Sequence, residues 1–295
     1  MTTLTNRLRL PEPIVAAIAN DPYTKGKADI SVTELLLPPQ LRALRVKHND
    51  EIVEDVSDRI WSLLGQAVHT IIERAGDGLV DQLGESTLTS SYLGWTIKGT
   101  FDNVALTSSE LQDFKVTTAW KLLREKTPPE WVQQTNIYRR LLFREKGLTI
   151  NSICVIAILR DWSKLEASRN QDYPQAQVIR VEIPLWTPEQ TDAFIEERLH
   201  LHQATSHPPC TDEEIWAKPT TYAVMKKGAA RATRVFHNRA EADSFSSNVS
   251  GSSVEERPGV ATRCQHYCPV SFVCPQWAVD PRRSNNPSTA EGLFT

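Results

Sequence analysis

Two short stretches hold residues whose types and spacing could do chemistry together. The first reads Gly99-Thr-Phe-Asp102 and the second Asp113-Phe-Lys115. Alternating apolar and polar residues predict a strand from Trp95 to Leu106, with Asp102 near its end. A second strand is predicted from Leu111 to Thr117, and the polar turn Thr107-Ser108-Ser109-Glu110 makes the two an antiparallel pair. On that second strand Asp113 and Lys115 are two apart and share a face, while Phe114 points the other way, into a core. Carboxylates and a lysine gathered on one face of a sheet are costly as structure alone. As chemistry, two acids can hold a hard divalent cation, and the lysine can orient or deprotonate a water beside it. A lone Asp-x-Lys is more often a solvated strand edge, so the weight falls on the elements around it.

Those elements follow from periodicity. Ser57 to Ala75 is predicted to be a helix, with Ile60, Trp61, Leu64, Val68, Ile71, Ile72 and Ala75 on one face and Gly76 at its end. Gly65 and His69 sit four apart beside that stripe. A mid-helix glycine costs about 1 kcal/mol against alanine, which predicts a close backbone approach to a neighbouring strand and delivers His69 to the same neighbour. Thr127-Pro128-Pro129-Glu130 reads as a capping box opening a helix that runs to Lys146 and stops at Gly147. Gln134 and Tyr138 share one side of it, and Arg139, Arg140 and Arg144 mark the opposite side. Ile150 to Leu159 is apolar and β-branched, a buried central strand in which Cys154 is an inert core thiol. Gln177 to Trp186 is a further strand, and Thr187-Pro188-Glu189-Gln190 opens a capped helix to about Thr205. Upstream, a short helix is predicted at Pro13 to Asn20. A capped start at Ser31 to Leu37 is interrupted by Pro38-Pro39, and a basic segment with Arg42, Arg45, Lys47 and His48 follows. Near the C-terminus a strand (Arg234 to His237) and a helix (Ala240 to Ser246) precede a cysteine group.

The 295 residues suffice for one large domain or one domain with a small appendage. A formal charge of -3 excludes a protein coated in positive charge, but leaves room for a basic groove. No apolar run has the length of a membrane span, and the N-terminus lacks the apolar core of a signal peptide, so a cytoplasmic protein without a membrane partner is expected. In that compartment the five cysteines are metal ligands, catalytic groups or core residues rather than disulfides. Cys264-x3-Cys268-x5-Cys274 is a tight group, and Cys210 precedes it at a distance.

Taken in order, Gly65-x-x-x-His69, Gly99-x-x-Asp102, Asp113-x-Lys115 and Gln134-x-x-x-Tyr138 on helix, hairpin, strand and helix resemble the PD-(D/E)XK nuclease superfamily, in its RecB-like branch. That branch includes CRISPR-associated and phage iron–sulfur exonucleases, and the resemblance covers roughly residues 31 to 205. It implies an α/β fold with a restriction-endonuclease-like core (αβββαβ, a mixed central sheet flanked by helices) and a small C-terminal cysteine-cluster region. Asp102, Asp113, His69 and the backbone carbonyl of Phe114 would hold Mg²⁺ or Mn²⁺, Lys115 would position the attacking water, and Gln134 and Tyr138 would touch the DNA backbone. Cys210, Cys264, Cys268 and Cys274 would hold a [4Fe-4S] cluster, with Zn²⁺ as the alternative that four thiolates equally suit. The family's distant cysteine usually lies on the N-terminal helix, where this chain has Leu37-Pro38-Pro39-Gln40, and Cys210 looks like the substitute. The expected division is an N-terminal extension (1–30), a nuclease core (31–206), a cysteine region (207–280) and a disordered tail (281–295). The implied activity is a metal-dependent deoxyribonuclease, an exonuclease acting on DNA ends in recombination, repair or phage DNA processing, in a bacterial cytosol or an infected cell. A recombination or single-strand-binding protein is the expected partner besides DNA. A structure-specific or nicking endonuclease and a non-catalytic DNA-binding scaffold are the alternatives. Basic residues Lys226, Lys227, Arg231 and Arg234, with those near Arg42, are expected along a DNA channel.

Overall fold

The computed structural model describes residues 2–20, 26–76 and 78–285. It is a mixed α/β protein whose chain divides into two compact units. One comprises residues 3–37 and 53–206. The other comprises residues 1–2, 38–52 and the chain from His207 onward. The segment Pro38–Ile52 thus belongs with the cysteine-bearing unit rather than with the sequence that flanks it. Among the described residues no helix is long and apolar enough to cross a membrane.

The larger unit is built on Ser152–Leu159, whose apolar, β-branched run suits a strand covered on both faces. Ile153, Cys154, Val155 and Ala157 are all essentially inaccessible. Glu110–Thr117 pairs with it in parallel and Val178–Ile183 antiparallel. Asn103–Ala105 and Gln82–Leu83 extend the sheet antiparallel beyond Glu110–Thr117. Parallel neighbours need a crossover, supplied by Ala119–Arg124 and the long helix Pro129–Lys146. A second sheet joins Ser86–Tyr92 to Trp95–Phe101 through a tight turn in which Leu93 and Gly94 both take positive φ. Ile30–Ser31 pairs in parallel with its inner strand. The helix Pro129–Lys146 packs on both sheets and contributes Trp131, Ile137, Leu141 and Leu142 to one continuous core.

Several expectations are corrected. The strand expected over Trp95 to Leu106 is two strands, Trp95–Phe101 and Asn103–Ala105, in different sheets, and the chain changes sheet at Asp102. Alternation continues through such a break, so periodicity does not reveal it. No capping box forms at Thr127: the helix starts at Pro129, and the cap position falls on Pro128, which has no hydroxyl to offer. Its C-terminal end is as expected, with Gly147 at φ 67°. The capping box Thr187–Gln190 does form, ahead of Pro188–Gln203. The apolar stripe of Ile60–Gly76 is not a core face, since none of that helix's residues is buried and Trp61 and Ile71 are more than half exposed. Periodicity fixes which side of a helix is apolar, not whether its unit offers a surface to cover it. The Arg160 guanidinium lies over the Trp61 ring, 3.7 Å from its centre. Nor does Gly65 mark a close approach, because a Cβ there would meet nothing within 4 Å. The glycine that does is Gly99, where a Cβ would lie 3.0 Å from the Tyr138 ring and from Val32.

In the N-terminal stretch Thr3–Thr5 pairs in parallel with Val53–Asp55, and Glu12–Ala19 is helical. In the other unit Pro39–Lys47 is a helix. Thr221–Lys226, Arg234–Phe236 and Ser252–Arg257 make a three-stranded antiparallel sheet, on which Arg239–Ser247 packs through Phe245 against Phe236. Arg234–Phe236 and Arg239–Ser247 answer to the strand and helix expected there, whereas Thr221–Lys226 and Ser252–Arg257, the latter with a single apolar residue, are strands the sequence pattern does not announce. The expected tail begins with a short turn of helix, Pro281–Asn285, and the remainder of that prediction lies outside the described residues.

Candidate active site

The change of sheet at Asp102 is what assembles the site. Before it, Ser86 pairs with Phe101; after it, Leu83 pairs with Val104 and Asn103 with Gln112. Extending these registers by one residue sets Glu85 on one side of Asp102 and Asp113 on the other. Asp102 itself is fixed at both oxygens. Its Oδ2 accepts a 2.6 Å hydrogen bond from the Phe114 N–H, and its Oδ1 lies 3.3 Å from His69 Nδ1. The ligand atoms of His69, Glu85 and Asp102 all fall within 4.8 Å of one another. They line a cleft of about 300 Å³ whose walls include Glu73, Asn103 and Phe114.

Asp113 is 1% exposed and Lys115 is its partner. Lys115 Nζ donates to Asp113 Oδ1 at 3.0 Å and lies 2.7 Å from Oδ2, off the direction of any hydrogen bond. Oδ2 therefore has a charge beside it but a lone pair unused. Burial raises the Asp113 pKa against the pull of Lys115, and the negative charge of Asp102 adds to the rise. Burial opposes the charge on Lys115, but Asp113 and Asp102 more than offset it and hold the ammonium above its ordinary value. His69 is raised chiefly by its hydrogen bond to Asp102, against partial burial. Glu85 is raised by burial and by the charges of Glu73 and Asp102. The cluster is thus an acidic concentration with one strong cation, the environment a divalent ion would relieve.

Of the residues singled out from sequence, His69, Asp102, Asp113 and Lys115 come together here. Phe114 does not turn into a core: its ring is half-buried, lines the cleft and meets the His69 ring edge-on, 6.5 Å between centres. The helix of His69 packs against Glu110–Thr117 and covers that side with a partly exposed face. Tyr138 is buried against Gly99, and its hydroxyl accepts a 2.7 Å hydrogen bond from half-buried Gln134. Glu85 escaped the sequence reading. It stands at a strand start with no motif around it, and only the two flanking registers bring it to Asp102.

The arginines of Pro129–Lys146 are structural ties. Arg139 binds the carbonyls of Ile150 and Trp186, and Arg140 grips Asp192, which also accepts from the Tyr92 hydroxyl. Cys154 is a core thiol, its pKa pushed up to about 12 by burial.

In the cysteine-bearing unit Cys210, Cys264, Cys268 and Cys274 line one small pocket with Gln40, Leu44 and Gln276. Gln276 clamps the Cys210 backbone reciprocally: its Oε1 accepts from Cys210 N–H and its Nε2 donates to Cys210 O, both at 2.8 Å. Gln40 Oε1 lies 3.8 Å from Cys210 Sγ, so Gln40 does reach the group, as a neighbour of Cys210. Burial, and then nearby acidic groups including the other thiols, pushes Cys210 up to about 12. Burial followed by Cys268 and Cys274 pushes Cys264 up to about 11. Thiols so placed ionise only with a cation among them.

No protein-family model matches the chain, and no curated protein matches it. Among solved structures it is similar to the crystal structure of SSO0001, at 15% identity and a TM-score of 0.45, over 69% of this chain and 89% of that one. A likeness of that size carries neither fold nor activity from one to the other.

Proposed function

We propose that this chain is a metal-dependent deoxyribonuclease of the PD-(D/E)XK type, with a restriction-endonuclease-like core in its larger unit, and that it acts as an exonuclease on DNA ends. The observation that carries the proposal is the meeting of His69, Asp102, Asp113 and Lys115 around one break between sheets. Nothing about the fold requires a buried Asp–Lys pair beside a His–Asp pair, and each charge removed from water is costly. The donor set fits Mg²⁺ or Mn²⁺: carboxylates and one imidazole, an unused lone pair on Asp113, and the Phe114 carbonyl one residue on. A bound divalent ion would lower the pKa of a ligated water and offset charge gathering on the phosphoryl oxygens.

This chain's own residues supply the rest. Asp102, held by the Phe114 N–H and by His69, cannot swing away from the cleft. Lys115, kept protonated by Asp113 and Asp102, presents a fixed positive charge where a scissile phosphate would develop negative charge. Tyr138 and Gln134 stiffen the helix over the site, and Gln134 is the one of the pair with surface left for a DNA backbone.

For the thiols, a [4Fe-4S] cluster is the better-supported occupant. Four sulfurs on one Zn²⁺ at about 2.3 Å would lie about 3.8 Å apart. Among the described residues no three of these sulfurs come within 4.8 Å of one another. Such a cluster would tie Cys210 to the C-terminal trio.

The test is degradation of linear duplex and single-stranded DNA in Mg²⁺ by the wild type, Asp113→Ala and Lys115→Ala, alongside closed circular DNA. Each variant is expected to lose activity by at least about a hundredfold, and the circle to survive. Cleavage of the circle would turn the reading to an endonuclease. Equal activity in both variants would sink the site assignment, and DNA binding without cleavage in any metal would leave a non-catalytic scaffold.

A further inference from the structure

The cleft holds a carboxylate that the motif order does not include. Glu85 makes no hydrogen bond or ion pair of ordinary length with any described residue, although it stands beside Asp102 and His69. Its position is not that of a loose surface side chain. Gln82–Leu83 is laddered to Val104–Ala105 on one side of it, and Ser86 to Phe101 on the other. Glu85 is therefore strung between two paired segments, one in each sheet, opposite the residue where the chain crosses between them. A carboxylate, an imidazole and a second carboxylate offering donor atoms within 4.8 Å of one another, at a cleft that admits water, is a three-ligand set with positions left open. Beside it, the buried Asp113 has an oxygen, Oδ2, with the Lys115 ammonium 2.7 Å away but no aligned hydrogen bond. Ladders on both sides fix the backbone of Glu85 beside Asp102.

We infer that Glu85 is itself a metal ligand, completing with His69 and Asp102 the donor set for a divalent cation, and that Asp113 faces the same ion cluster from the far side of Asp102. This deepens the nuclease reading by naming a ligand on the hairpin's first strand.

The experiment titrates the intact protein with Mn²⁺ in the absence of DNA, following free Mn²⁺ by electron paramagnetic resonance. Three substitutions are compared: Glu85→Gln, Glu85→Asp and Glu73→Gln. Glu73 lines the same cleft and carries the same charge but is outside the three-donor set, so it reports the effect of charge alone. Glu85→Gln is expected to weaken Mn²⁺ binding on the order of 10- to 100-fold. Glu85→Asp should fall between it and the wild type, and Glu73→Gln should change binding much less. Circular dichroism in EDTA confirms the fold of each variant, and the exposed position of Glu85 makes the amide tolerable there. Wild-type Mn²⁺ affinity in Glu85→Gln overturns the inference, as does an equal loss in Glu73→Gln. A protein that binds Mn²⁺ through Glu85 yet leaves all DNA intact would sink the nuclease reading and keep this one. Active protein with Glu85-independent Mn²⁺ binding would do the reverse.

Discussion

Substituting Lys115 by methionine separates what the buried pair does for stability from what it does for chemistry. Methionine nearly fills the lysine's space without its charge. The change leaves Asp113, 1% exposed, with no cation beside either oxygen. Removing one partner of a buried pair costs about 3–5 kcal/mol. Lys115 keeps 24% of its side chain in solvent, which places the cost at the low end, about 3 kcal/mol. For a unit of this size that corresponds to roughly 6–12 °C in the unfolding midpoint. The deficit has a definite pH dependence. Burial already raises the folded-state pKa of Asp113 above its ordinary 3.8, and loss of the ammonium raises it further. A carboxylate raised in the folded state lowers stability as pH climbs through that pKa. The deficit of Lys115→Met is therefore larger near pH 8 than near pH 5, where a proton can neutralise Asp113. The double variant Asp113→Asn/Lys115→Met replaces both charges and is expected to regain most of the lost stability. It should regain no nuclease activity. The assay is urea unfolding in EDTA, followed by tryptophan fluorescence, with DNA degradation measured in parallel. A Lys115→Met protein as stable as the wild type at high pH would refute the energetics, as would a double variant no more stable than the single one.

Four further outcomes follow from other parts of the structure. Gly99→Ala should destabilise by about 1–3 kcal/mol, because its Cβ would press on the Tyr138 ring and Val32 at 3.0 Å. Gly65→Ala, with nothing within 4 Å, should instead stabilise its helix by about 0.5–1 kcal/mol, and thermal unfolding of the two reads both signs. Hydrogen bonds from Arg180 pull Glu110 from 4.5 down to about 2 against its burial, so that pair stabilises fully above about pH 4.5 and fades as pH falls toward 2. Acid unfolding of Arg180→Met should accordingly start at higher pH than that of the wild type, and superimposable curves would remove the pair from the balance. Purified protein should be brown with about four iron per chain, and Cys210→Ser should lose that iron. Colourless protein with stoichiometric zinc would overturn the cluster while leaving the nuclease site untouched.

Sequence alone determined what repeats at short range. A period of two put Asp113 and Lys115 on one face, the β-branched run made Ser152–Leu159 the central strand, and caps and glycine stops set the ends of Pro188–Gln203 and Pro129–Lys146. These are local consequences of strand and helix geometry, so they can be read from neighbours a few residues apart. The order of His69, Asp102, Asp113 and Lys115 along the chain was legible for the same reason. Only the tertiary structure decided that the chain changes sheet at Asp102. It also decided that Gly99 rather than Gly65 makes room for a neighbour, that Phe114 lines the cleft, and that Gln40 and Gln276 close on Cys210. Each of these depends on which surfaces meet across long loops. Alternation looks the same on either side of a sheet change, and a lone glutamate at a strand start looks like any other. The place of Glu85 is set by two registers at once, and neither is written in the residues beside it.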